Sequence, residues 1–85
     1  MAEGKDGVAE MRQVIQLREK VNGPEHPDTL ESCYDLASGL ERQGKIQEAQ
    51  ALARRAAEGA RKVLGPDHPS TVKYEKLAAD LVARR

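Results

Sequence analysis

The sequence predicts an all-α chain of antiparallel helix-turn-helix repeats, a fragment of an α-solenoid with about four helices. Three observations predict it. Gly23-Pro24-Glu25-His26-Pro27-Asp28-Thr29 returns forty-two residues later as Gly65-Pro66-Asp67-His68-Pro69-Ser70-Thr71, and these copies hold all four prolines and both histidines. A fixed period of this length marks stacked repeats. Apolar residues around the two copies follow helical spacing, and no stretch alternates as a strand would. Phe and Trp are absent, so the core must come from Ala, Leu, Val and Ile, which suits close helix-to-helix approach.

Residues 1–7 are small and charged, with Gly4 and Gly7, and are expected to be flexible. The domain proper is expected over residues 8–85. Helical spacing begins near Val8 and runs to Val21. Met11, Val14, Ile15 and Arg18 make one stripe, with Leu17 and Val21 on the neighbouring one. Gly23 then supplies a left-handed C-terminal cap, and Pro24 stops continuation.

His26 precedes a proline and is pushed out of the helical region. Pro27 fits the first turn of a second helix, where a missing N–H costs nothing. This helix is expected over residues 28–43, with Leu30, Cys33, Leu36, Ala37 and Leu40 as its apolar stripe and Asp28 favourably placed against the helix dipole. Gln43-Gly44-Lys45 closes it. A third helix over 46–64 carries Ala49, Leu52, Ala53, Ala56, Ala60 and Val63. Gly65-Pro66 ends it as Gly23-Pro24 ended the first. A fourth, over 69–84, shows Val72, Leu77, Ala78, Leu81 and Val82. Every connection is short, which favours antiparallel neighbours.

Eighty-five residues bury a limited core, so stability should be marginal without a partner. Lys and Arg equal Asp and Glu at 14 each, so no overall field attracts nucleic acid or an anionic membrane. Residues 1–42 carry five basic and nine acidic side chains, and residues 43–85 the reverse. This predicts an electrical dipole along the chain. One cysteine excludes an internal disulfide. No apolar run approaches the roughly 18 residues needed to span a bilayer, and the N-terminal residues lack the order of a signal peptide. A soluble cytoplasmic protein is expected.

The two-helix units joined through Gly44, with Leu36, Ala37, Leu40, Ala49, Leu52 and Ala56 at their present spacings, resemble tetratricopeptide repeats. The 42-residue period and the Gly-Pro-acidic-His-Pro-x-Thr linker are similar to the kinesin-light-chain type. Ala37, Gly44, Ala49 and Ala56 match that pattern's small residues at tight crossings, whereas Cys33 and Ala53 stand where larger side chains are common. The resemblance covers roughly residues 8–85. It implies that each repeat is a helix A followed by a helix B. The chain then starts on a B-like helix, supplies one complete A–B pair and finishes on an A-like helix. Upstream of Met11 the pattern decays: Gly4 and Gly7 stand one period before Ile46 and Ala49.

Chemistry has little to stand on. His26 and His68 lie a full repeat apart beside prolines, and no Cys/His/Asp cluster completes a metal or catalytic site. They read as structural turn residues, with Gly23, Pro24, Pro27, Thr29, Gly65, Pro66, Pro69 and Thr71 as the rest of the repeat linker. Cys33, on an apolar stripe, reads as a packed thiol. No Gly-rich phosphate loop occurs. No enzyme activity and no cofactor are expected. Arg54-Arg55, Arg61-Lys62 and Arg84-Arg85 could form a basic patch for RNA. Acids interleave with them and no aromatic residues accompany them for base stacking, so a solvated face is the better reading.

In the family the concave wall is lined by A helices. By that resemblance Glu31, Tyr34, Ser38 and Glu41 on the second helix would face it, with Lys73, Lys76 and Asp80 on the fourth. Tyr34 would be either a peptide anchor or a cover for the core's edge. Acids beside Lys73 and Lys76 suggest a ligand of mixed charge. The resemblance thus implies a non-enzymatic protein-interaction scaffold for a peptide or helix. The alternative is a self-assembling homo-oligomer joined through the unpaired terminal helices.

Overall fold

Four helices account for most of the described residues. In the computed structural model, which describes residues 7–84, they are α1 (Val8–Asn22), α2 (Pro27–Arg42), α3 (Ile46–Val63) and α4 (Pro69–Ala83). No strand occurs among the described residues. Of the N-terminal segment expected to be flexible, all but Gly7 lies outside them.

Glycine and histidine play the same parts in both copies of the repeated linker. Gly23 and Gly65 take φ of 97° and 98°, a region open to glycine at little cost. His26 and His68 follow in extended geometry as N-caps of α2 and α4. The Nδ1 of His26 accepts the Asp28 N–H at 3.1 Å, and that of His68 accepts the Ser70 N–H at 3.0 Å. Each imidazole thus satisfies one of the donors a helix start leaves unpaired. The Thr29 hydroxyl, fully buried, donates to the Gly23 carbonyl at 2.9 Å and ties the start of α2 to the end of α1.

Each helix packs on the next in sequence, and α2 also touches α4. The result is a slab 42 × 34 × 16 Å. Leu30, Leu36, Leu40 and Leu81 fill its middle against Ala37, Ala49, Ala53, Ala56 and Ala60. Alanine on α3 lets its neighbours in, and Gly59 lets one in further. A Cβ at Gly59 would lie 2.5 Å from Cδ2 of Leu30, closer than carbon atoms can approach.

Two sequence expectations need correction. Val14, Leu17, Val21, Val63, Val72 and Val82 follow helical spacing but are exposed, Leu17 to 61% and Val21 to 70%. Spacing says which residues share a face, not whether that face has a neighbour. Among the described residues nothing lies over the outer faces of α1 and α4. On α4 the buried stripe is Thr71, Tyr74 and Leu81, with Leu77 and Ala78 half-buried beside it.

The second correction concerns the dipole. Glu19 pairs with Arg55, Glu25 with Lys62 at 3.0 Å, and Glu41 with Arg84. Each pair joins an acid of the first half to a base of the second. Folding therefore turns much of the lengthwise asymmetry into short-range pairing inside the slab.

Candidate functional site

A groove of about 680 Å³ runs between α2 and α4, lined by Tyr34 and Glu41 on one side and Pro69, Val72, Lys73, Lys76, Leu77 and Asp80 on the other. It forms because α2 and α4 are A helices one period apart, side by side on one face of the slab. Tyr34, at 4.9 Å and 29° from Tyr74, is stacked on it, a favourable offset arrangement for two aromatic quadrupoles. Tyr74 is buried, whereas Tyr34 keeps part of its ring in the groove. The Lys73 ammonium stands over both rings, 4.9 Å from the Tyr34 centroid and 5.9 Å from that of Tyr74. This is cation–π distance.

Burial pushes the Tyr74 phenol above its ordinary range, and the nearby Glu31 and Asp35 carboxylates push the same way, against a hydrogen bond with Ser70. The ring therefore stays neutral and serves as a floor. At the other end of the groove Arg84 pairs with Glu41, and with Asp80 at 3.4 Å. One guanidinium thus answers both acids. Lys76 carries no ion pair among the described residues.

Of the seven residues assigned from sequence to this wall, Tyr34, Glu41, Lys73, Lys76 and Asp80 share the groove. Glu31 is exposed near its rim, close enough to act on Tyr74. Ser38 faces the next cleft, between α1 and α2, with Met11, Asp35 and Arg42. The reading of acids beside free bases is changed by Arg84, which occupies Glu41 and Asp80. Sequence reasoning missed Tyr74 and Arg84. Thr71, Tyr74, Ala78 and Leu81 stand at helical spacing, and that signal was available for Tyr74. Arg84 and Glu41 are a repeat apart on different helices, and no local signal links them.

The remaining candidates have quieter roles. Of the ten linker residues, Gly23, Gly65, His26, His68 and Thr29 form the turns and caps described above, whereas the buried Thr71 hydroxyl has no hydrogen-bond partner among the described residues. Among the described residues no group of three His, Cys, Asp or Glu side chains could hold a metal. Cys33 is fully buried, and burial raises its thiol above the ordinary range, offset in part by Arg55. Of the basic doublets, Arg55, Arg61, Lys62 and Arg84 each pair with a carboxylate, and Arg85 lies outside the described residues. No described helix is long and apolar enough to cross a membrane.

Antiparallel helix pairs joined by a recurrent capped linker, with like helices side by side at a constant period, define a helical-repeat protein of the α-solenoid class. The model of the tetratricopeptide repeat matches residues 6–28 and 29–70. The chain belongs to the tetratricopeptide repeat family, and the second match has the length of one 42-residue period. Human tetratricopeptide repeat protein 19, mitochondrial, is 35% identical over 51 residues, 60% of this chain. The chain spans only about 13% of that relative's length. Repeats of this family serve as protein-interaction scaffolds and are typically non-enzymatic.

Proposed function

We propose that the chain is a non-enzymatic binding module that takes an extended peptide in the groove between α2 and α4. The observation that carries this is the pairing of an open aromatic and apolar surface with unanswered positive charge. Tyr34, Pro69 and Leu77 offer contact area, and aromatic anchors in desolvated grooves carry much of the energy of peptide recognition. Arg84 answers the groove's own acids and Lys73 already stands over the Tyr34 and Tyr74 rings, so Lys76 is the ammonium left for a ligand. The fitting ligand has an apolar or aromatic side chain flanked by a carboxylate.

The test is selection of a random peptide display library on the 85-residue chain, followed by titration of the selected peptides against variants. Tyr34→Ala and Lys76→Ala should each weaken binding by about 5- to 30-fold, the effect of losing one or two kcal/mol. Selected peptides should be enriched in Asp or Glu beside an apolar residue. Peptides that bind both variants as well as the parent would refute the groove as the binding face.

A further inference from the structure

The outer faces of α1 and α4 are open among the described residues, and the 42-residue offset says what each would meet in a continuing stack. A residue of α1 stands one period before its counterpart on α3, and a residue of α4 one period after its counterpart on α2. Placing α4 of one copy on α1 of another therefore reproduces the α2–α3 contact, already on view inside the chain. The substituted residues can then be checked pair by pair.

The tightest point of that contact is Leu30 over Gly59. At the junction it becomes Val72 over Leu17, since Val72 follows Leu30 and Leu17 precedes Gly59 by one period. A Cβ at position 59 would meet Cδ2 of Leu30 at 2.5 Å, Cδ1 at 3.2 Å and Cγ at 3.4 Å. Valine has no Cδ atoms, so the helix that gains a side chain at this point faces one that has lost the obstructing atoms. A Leu30-type helix would overfill the same position. Both residues are exposed in the chain, Val72 to 42% and Leu17 to 61%. Val14 and Val82, also exposed, take the places of the fully buried Ala56 and Leu40.

Charge follows the same rule. Lys62 pairs with Glu25 at 3.0 Å inside the chain, and the junction places Lys20 of one copy opposite Asp67 of the other. Neither Lys20 nor Asp67 has an ion pair among the described residues. Glu75 takes the place of buried Cys33, but it already has Arg61 at 2.9 Å.

We infer that two copies of this chain dock head to tail, α4 of one on the outer face of α1 of the next, with Val72 on Leu17 and Asp67 facing Lys20. Such a heterologous contact leaves a free end on each assembly unless it closes a ring.

The test is the molar mass of the 85-residue chain by sedimentation equilibrium across concentration, with helicity checked by circular dichroism. The mass should climb past two copies of the 9.3 kDa chain and fall as salt screens the charges. Leu17→Gln, at an exposed position, should weaken association with helicity intact. Lys20→Glu and Asp67→Lys should each weaken it by about 2- to 5-fold. An equimolar mixture of the two should recover it, because every junction between unlike chains restores opposite charges. A mass of one chain at all concentrations would overturn the inference. So would a mass that stops at two copies, or an association indifferent to Leu17→Gln and to mixing.

Discussion

Leu30 lies directly on Gly59, with no room between them for a single methyl group. Gly59 sits in the middle of α3, where glycine costs a helix about 1 kcal/mol relative to alanine. The close approach of α2 offsets that cost. Gly59→Ala should therefore fail to deliver the helix gain and should lower stability, since overpacking costs typically 1–3 kcal/mol. In a Leu30→Val background the same change should stabilise, because the obstructing Cδ atoms are gone. A double-mutant cycle by urea unfolding reads the coupling, and additive effects would mean the crossing has slack.

Tyr74 joins the core to the groove. Tyr74→Ala should cost about 3–5 kcal/mol, the range for emptying a buried aromatic site, and in a chain this small that is enough to unfold it. Tyr74→Phe should be close to neutral in stability. The phenol's raised pKa sets the pH dependence. The fold favours the neutral ring, so its contribution is intact below the unfolded value of about 10 and is lost as pH rises through the higher folded value. Alkaline unfolding of the parent and of Tyr74→Phe should differ only in that range. Identical alkaline limbs would show that Tyr74 does not ionise against the fold.

The histidine caps are separable from any chemistry. His26→Ala and His68→Ala should each cost about 1 kcal/mol, whereas His→Asn at either position, which keeps a short acceptor, should cost little. Thermal unfolding of the four variants decides this. Equal losses for Ala and Asn would mean the ring does something other than accept from Asp28 or Ser70.

Cys33 is shielded by packing and by its raised pKa, and only the thiolate is the nucleophile. Alkylation of the native chain should be slow and should follow the population of unfolded molecules as urea is added. A rapid reaction in native buffer would place Cys33 in a locally opening segment.

Much of this was readable because the determining residues are neighbours in sequence. The linker announces itself twice, and each part has a local job: glycine for a positive φ, histidine for a cap, proline for a first turn. The alanine row of α3 likewise reports a close neighbour without naming it. What could not be read depends on residues a repeat away. Leu17 and Val72 look like core by spacing, yet whether they are covered depends on elements outside their own pattern. Arg84 and Glu41 meet only because α2 and α4 lie side by side, so a local reading of the Glu41 face left out the charge that neutralises it. Gly59 is explained only by Leu30, which lies on another helix.

The backbone contacts of the slab run mainly between helices adjacent in sequence, with the α2–α4 touch and the Arg12–Glu48 and Glu19–Arg55 pairs between α1 and α3 reaching further. Under tension applied at its two ends, such a chain has no clasp that must break before the rest yields. Its outer helices, α1 and α4, are held to the remainder by fewer contacts than the α2–α3 pair and by surface ion pairs, and should peel away first. The α2–α3 pair should release last. Extension then becomes a succession of short, weakly resisted steps, each reversible when the load is relaxed. The layout that lets repeats add one by one also makes the molecule a soft spring.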